Sequence, residues 1–202
     1  MRSTNPQRRR GAYITRVPDC SDLPQVVEPD HLFARLFQGL AEEQLPRYGG
    51  RRWTGAVRKT LKQFACEIDR NIVVSYSNNS GPEFLLDLIW LKPARDDPDA
   101  NGRILLAVEC EWSSRPDDVW YDFSKLLYVR APRKLLICCL SPKALKEAIR
   151  QFTQDIIDAG GLESCEKYIV INFGNQRVEC WWCEPPEPVK FQKGSNRQYW
   201  PF

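Results

Sequence analysis

Two short apolar runs near the middle of the chain are each broken by carboxylates. Asp87 interrupts FLLDLIWL at 84–91, and Glu109 and Glu111 interrupt ILLAVECEW at 104–112. Both runs are rich in β-branched and aromatic residues, which predicts strands. Alternation along a strand then places Glu109 and Glu111 on one face, about 7 Å apart, with Val108 and Cys110 on the other. Upstream the period is helical. Leu32, Phe33, Leu36, Phe37 and Leu40 form one apolar stripe after Asp30, a capping residue, and the pattern stops before Pro46 and Gly49-Gly50. A second helix, capped by Thr54, turns Val57, Leu61, Phe64 and Ile68 inward. Residues 71–76 read as a strand, and the turn residues Asn78, Asn79, Ser80 and Gly81 link it to the Asp87 strand. A meander of three strands results.

Beyond the meander the pattern alternates between helix and strand. Pro116, Asp117 and Asp118 suit a helix start over 116–130, where proline fits the first turn and acids face the positive end of the dipole. Val119, Trp120, Phe123, Leu126 and Leu127 recur on its apolar side, and Asp118, Asp122, Lys125 and Val129 form the neighbouring stripe. The run 134–140 is continuously apolar, as expected of a strand buried on both faces. Ser141-Pro142 opens a helix with Leu145, Ala148, Ile149, Phe152 and Ile156 inward, closed by Gly160-Gly161. Residues 168–173 and 176–182 form a hairpin around Gly174-Asn175. Strand, helix, strand, helix, strand after residue 104 needs crossover connections, so the class is α/β, with a mixed sheet covered by helices.

A chain of 202 residues is long enough for one sizeable core. We read one domain over 30–184, a basic arm over 1–29 that carries Arg8, Arg9 and Arg10, and a proline-rich basic and aromatic tail over 185–202. The net charge of +3 is too small to announce a nucleic-acid partner by itself. Arg47, Arg51, Arg52, Arg58, Lys59 and Lys62 nevertheless concentrate positive charge in one loop and helix half, as a phosphate patch or as a solvated helix face. With no secretory or membrane-spanning run, Cys66, Cys110, Cys138 and Cys139 in apolar segments read as reduced buried thiols in a cytoplasmic protein. Cys180-Trp-Trp-Cys183 lacks the second pair that a four-thiolate zinc site needs. Residues 97–102, DPDANG, match the opening of a calcium loop, but its twelfth position is Val108 and Asn-Gly is a hairpin signal, so a turn is expected. His31, the only histidine, cannot build a histidine cluster and suits a helix start.

Acidic side chains spaced along one strand face repel one another and are costly to desolvate, so a cation is the physical reason to place them there. Oxygen donors favour Mg²⁺. A helix running back beside the strand descends about 14 Å by Lys125, at 1.5 Å per residue, which is the level of residues 107–109. An extended lysine therefore reaches the carboxylates.

This constellation resembles the PD-(D/E)XK nuclease superfamily, the restriction-endonuclease-like fold. In that family an Asp from one strand of a hairpin and a Glu-x-Lys on the next strand surround one or two divalent ions. Asp87 stands at the Asp and Glu109 at the Glu, while Glu111 occupies the usual lysine position; members with Glu-x-Glu, or with the lysine moved to the following helix, make Lys125 its counterpart. Glu67 matches the glutamate that the family often carries on the preceding helix. The resemblance spans about residues 54–140. It implies Mg²⁺, with Mn²⁺ as substitute, held by Asp87, Glu109 and the Cys110 carbonyl, and Glu111 as a further ligand or as base. Lys125 would orient water or stabilise charge, with DNA as substrate and a homodimer as one way to cut both strands. The rival expectation is a non-catalytic module of the same fold that binds nucleic acid or protein, with the carboxylates neutralised by Lys125 and basic neighbours.

Overall fold

Apolar stripes of period 3.6 and apolar alternation of period 2 meet here on a single sheet that carries helices on both faces. The computed structural model describes residues 28–42, 50–76, 86–92, 102–159, 166–174, 177–183, 191–194 and 198–199. Helices α1 (Pro29–Glu42) and α2 (Arg51–Ile68) precede strands β1 (Val73–Tyr76), β2 (Leu88–Lys92) and β3 (Arg103–Glu111). Helix α3 (Pro116–Leu127), strand β4 (Arg133–Cys138), helix α4 (Pro142–Asp158) and strands β5 (Lys167–Asn172) and β6 (Arg177–Cys183) follow, then the short β7 (Gln192–Lys193) and β8 (Gln198–Tyr199). The strands lie in the order β1-β2-β3-β4-β5-β6-β7, with β8 also paired to β6. β1, β2 and β3 are mutually antiparallel, β3, β4 and β5 run parallel through the α3 and α4 crossovers, and β6 returns antiparallel. The α/β architecture expected from the hydrophobic pattern is the one observed.

Alternation divides the strand side chains between two cores. Leu106, Val108 and Cys110 face α1 and α2, packing with Leu36, Val57 and Phe64, whereas Ala107 and Leu136 face α3 and α4, packing with Val119, Phe123 and Phe152. Phe123 and Phe152 stack with centroids 3.9 Å apart and lock the two crossover helices together. All five inward positions expected of α4 are buried, and Ser141 caps that helix through its Oγ, which accepts the Ala144 N–H at 3.3 Å. The loops at the C-terminal ends of β4 and β5 are also tied. Asn172 brackets Leu140, accepting its N–H at 2.7 Å and donating to its carbonyl at 3.0 Å. Gly174 passes so close that an added Cβ would lie 1.9 Å from the Leu140 oxygen.

Several boundaries differ from expectation. α2 starts at Arg51 behind Gly50, whose φ of 122° suits glycine, and Thr54 lies inside the helix with its Oγ1 accepting the Trp112 indole N–H at 2.9 Å. Asp30 sits in the first turn of α1 after Pro29, and α3 stops at Leu127. Trp120 points outward, 46 % exposed, and donates to Asp155 at 2.8 Å. Cys66 is exposed rather than buried, while Cys110 and Cys138 are buried as expected. Cys180 belongs to the α1/α2 core and Cys183 to the α3/α4 core, because three residues along a strand reverse the face; the two thiols cannot share a metal. The tail is joined to the sheet through β7 and β8, with Phe191 buried in the second core. Arg8, Arg9 and Arg10, Arg47, the turn at 78–81, the calcium-like residues 97–101 and Gly160-Gly161 lie outside the described residues. No described helix is long and apolar enough to cross a membrane.

Candidate active site

The antiparallel register of β2 and β3 sets Leu88 opposite Val108, so Asp87, one residue before β2, lies beside Glu109 and Cys110. Backbone and side chain then fix it. The Cys110 N–H donates to Asp87 Oδ2 at 2.9 Å, and Arg58 of α2 donates through Nη2 to Oδ1 at 3.2 Å. Two carboxylates from different strands are thus neighbours because one pairs with the backbone next to the other.

Glu109 points to the α3 face and is 2 % exposed. Helix α3 runs back along β3 and brings Lys125 Nζ to 3.6 Å from Glu109 Oε1 and to 2.6 Å from Asp122 Oδ1. The closer acid takes the hydrogen bond. Glu109 Oε1 is buried and has no hydrogen-bond partner among the described residues. Burial pushes the Glu109 carboxyl up to about 9; Lys125 opposes this, and the charges of Asp122 and Asp87 add to it. Burial works against the Lys125 ammonium, but the Asp122 hydrogen bond and the charges of Glu109, Asp122 and Asp87 outweigh it, so its pKa lies above the ordinary lysine value. Lys125 stays cationic.

Glu111, at the end of β3, is half-buried and accepts the Ser113 N–H at 2.5 Å. Burial raises its pKa against that hydrogen bond, and Asp122 and Asp118 raise it further. The Cys110 thiol is pushed well above its usual range, first by burial and then by the Asp87 and Glu109 charges, so it is not a nucleophile here. Asp87, Glu109 and Lys125 therefore meet at one end of the sheet, with Glu111 two residues further along β3 and bonded to Ser113.

Glu67 is not assembled with them. Its carboxylate pairs with Arg35 of α1 and accepts from Gln63 at 3.2 Å, and it lies nine residues along α2 from Arg58, about 13 Å of helix. The expected helix glutamate is a surface ion-pair partner, because α1 supplies it with an arginine. Of the basic residues, Arg58, Lys59 and Lys62 line a cavity of about 360 Å³ with Gly55 and Tyr76, whereas Arg51 and Arg52 stand exposed in the first turn of α2. Sequence reasoning overlooked two participants. Asp122 had its signal, a carboxylate three residues before Lys125 on the same stripe; Arg58's grip on Asp87 had none, because it depends on how α2 is rotated over the sheet.

The donor set fits a divalent cation. It consists of hard carboxylate oxygens, and one of them, Glu109 Oε1, is buried without a hydrogen-bond partner among the described residues, while burial, opposed by Lys125, holds its carboxyl off the charged form. Internal cations hold part of the set, since Asp87 Oδ1 is engaged by Arg58, and no three acidic, cysteine or histidine side chains already converge as a metal cluster among the described residues. No protein-family model and no curated protein sequence matches the chain.

Proposed function

We propose that this chain is a divalent-metal-dependent nuclease of the restriction-endonuclease-like type, hydrolysing phosphodiester bonds in DNA. The observation that carries the reading is the meeting of Asp87 and Glu109 with Lys125 from the crossover helix, around a buried Glu109 oxygen that Lys125 faces at 3.6 Å but that has no hydrogen-bond partner among the described residues. The order α2, β1, β2, β3, α3, β4 and the antiparallel β2–β3 pair support it.

Asp87, Glu109 and the Cys110 carbonyl would hold Mg²⁺ or Mn²⁺, with Glu111 at their edge. A divalent ion there supplies Lewis-acid activation of water and neutralises phosphate charge. The chain's own groups do the rest. Lys125, kept protonated chiefly by its hydrogen bond to Asp122, offers a fixed positive charge to the phosphate oxygens as negative charge builds. Glu111, with its raised pKa and one oxygen held by Ser113, is placed to accept the proton of the attacking water. Arg58, Lys59 and Lys62 bind flanking phosphates.

Cleavage of supercoiled plasmid and labelled oligonucleotides with Mn²⁺ against EDTA tests this. Wild type should cut only with metal, and Asp87→Ala should lose at least about a hundredfold while remaining folded, as expected when a site group is removed. Equal cutting by the variant would sink the assignment. One observation favours a second reading, a non-catalytic binding module: Asp87 is already neutralised by Arg58, and Asp122 by Lys125. In that case neither cleavage nor metal-induced stabilisation is seen.

A further inference from the structure

Tyr76 ends β1 and pairs in register with Leu88, next to Asp87. Its ring is 38 % exposed, and the Arg58 guanidinium lies over it, 5.5 Å from the centroid. Tyr121, one turn before Lys125 on α3, is 61 % exposed, and the Lys125 ammonium lies over its ring at 5.1 Å. The same three-part unit therefore occurs twice, a tyrosine face, a cation and a site carboxylate, once on the α2 face of the sheet and once on the α3 face. Neither tyrosine belongs to either hydrophobic core. Both stand at the sheet end that carries Asp87 and Glu111, and the basic cavity of Arg58, Lys59 and Lys62 opens beside Tyr76.

We infer that the site takes a single-stranded or locally unpaired polynucleotide, whose bases stack on Tyr76 and Tyr121 to either side of the carboxylates while its backbone enters the cavity on α2. This rests on the nuclease reading and adds the substrate class to it. The physical reason is access. In a duplex the base faces are covered by their neighbours, so an exposed tyrosine meets only backbone and groove; an unpaired strand offers every base face, and a cation behind the ring strengthens the platform. A basic cavity combined with exposed aromatic faces along the path of the strand is the arrangement that sequence-tolerant single-strand binding uses.

The test is equilibrium binding in EDTA, so that it does not depend on cleavage. Fluorescent oligo-dT and oligo-rU of about 20 nucleotides and a duplex of equal length are titrated by anisotropy with wild type, Tyr76→Ala and Tyr121→Ala, and with the corresponding Phe variants. Oligo-dT should bind at least about tenfold tighter than duplex, and each Ala variant should weaken oligo-dT by about five- to tenfold with little effect on duplex. Each Phe variant, which keeps the ring, should bind as wild type does. Tighter oligo-rU than oligo-dT would uphold the stacking and make the unpaired strand an RNA. Duplex binding equal to or tighter than single strand, or Ala variants that weaken both alike, would overturn the inference. Plasmid cutting without single-strand preference would overturn this inference alone, and single-strand preference without any metal-dependent cutting would overturn the nuclease reading alone.

Discussion

The two ends of the parallel strands carry two charged clusters that look alike in sequence and differ in their accounts of hydrogen bonds. At the N-terminal ends, fully buried Lys134 donates to Glu166 at 2.6 Å and bonds Tyr168 Oη at 3.0 Å, and Tyr168 donates to Glu166 at 3.2 Å. Next to it, Glu28 accepts from Arg133 at 2.7 Å and from Lys167 at 2.6 Å; burial works to raise its pKa, but those two cations outweigh it and hold the carboxyl low. Each acid there has its cation. Among the described residues at the C-terminal end, Asp87 pairs with Arg58, Glu109 and Asp122 share the one Lys125, and Glu109 Oε1 is left without a hydrogen bond. The first cluster satisfies itself, as a buried ion-pair network that serves the fold must, whereas in the proposed nuclease the second would be completed by an arriving cation.

The largest effect that sharpens this contrast comes from removing one cation of the satisfied cluster. Lys134→Met leaves Glu166 buried without its cation and should cost on the order of 3–5 kcal/mol in urea unfolding. Glu109→Gln at the other end should cost nothing or stabilise, since it removes a carboxyl that burial already disfavours in its charged form. Equal losses from the two substitutions would erase the distinction between the clusters.

Titration and metal give the next largest effects. The folded metal-free protein holds the Glu109 proton up to about 9, far above the ordinary glutamate range, so the folded state binds more protons than the unfolded state across that window. Stability should therefore fall as pH rises from about 5 to about 9, and Glu109→Gln should flatten that slope. Mn²⁺ at a hundred times its Kd should add about 2.7 kcal/mol at pH 8. In a chain of this size that is several degrees of melting temperature. Asp87→Asn should abolish the gain. Thermal melts across pH with and without Mn²⁺ read both, and a flat, metal-independent wild-type profile would break the claim of unmet charge.

What could be read in the sequence was whatever depends on local period. Strand alternation put Glu109 and Glu111 on one face, and the 1.5 Å rise of α3 set Lys125 at their level, because both follow from backbone geometry that neighbours do not alter. Leu145, Ala148, Ile149, Phe152 and Ile156 were legible for the same reason. What depends on the rotation of one element over another was not. Trp120 sits on the border of the α3 stripe, and the Asp155 carboxylate draws it outward. Arg58 and Glu67 lie on the same helix, yet the packing of α2 between α1 and the sheet sends one to Asp87 and the other to Arg35. The apolar pattern of α2 states which side is buried, and leaves open which neighbour each flanking charge will meet.

Glu67 supplies the smallest and most discriminating effect. Its side chain is 44 % exposed and that of Arg35 34 %, so solvent screens the pair. Glu67→Gln should change unfolding stability by about 0.2–1 kcal/mol, the range of an exposed ion pair. The Mn²⁺-induced shift should match wild type, because Glu67 pairs with Arg35 and Gln63, whereas the site carboxylates pair with Arg58 and Lys125. If the substitution reduced that shift as Asp87→Asn does, Glu67 would be a ligand after all. The α1–α2 ion pair would then be a resting state that metal rearranges, and the boundary drawn between the site and the solvated face of α2 would have to move nine residues along the helix.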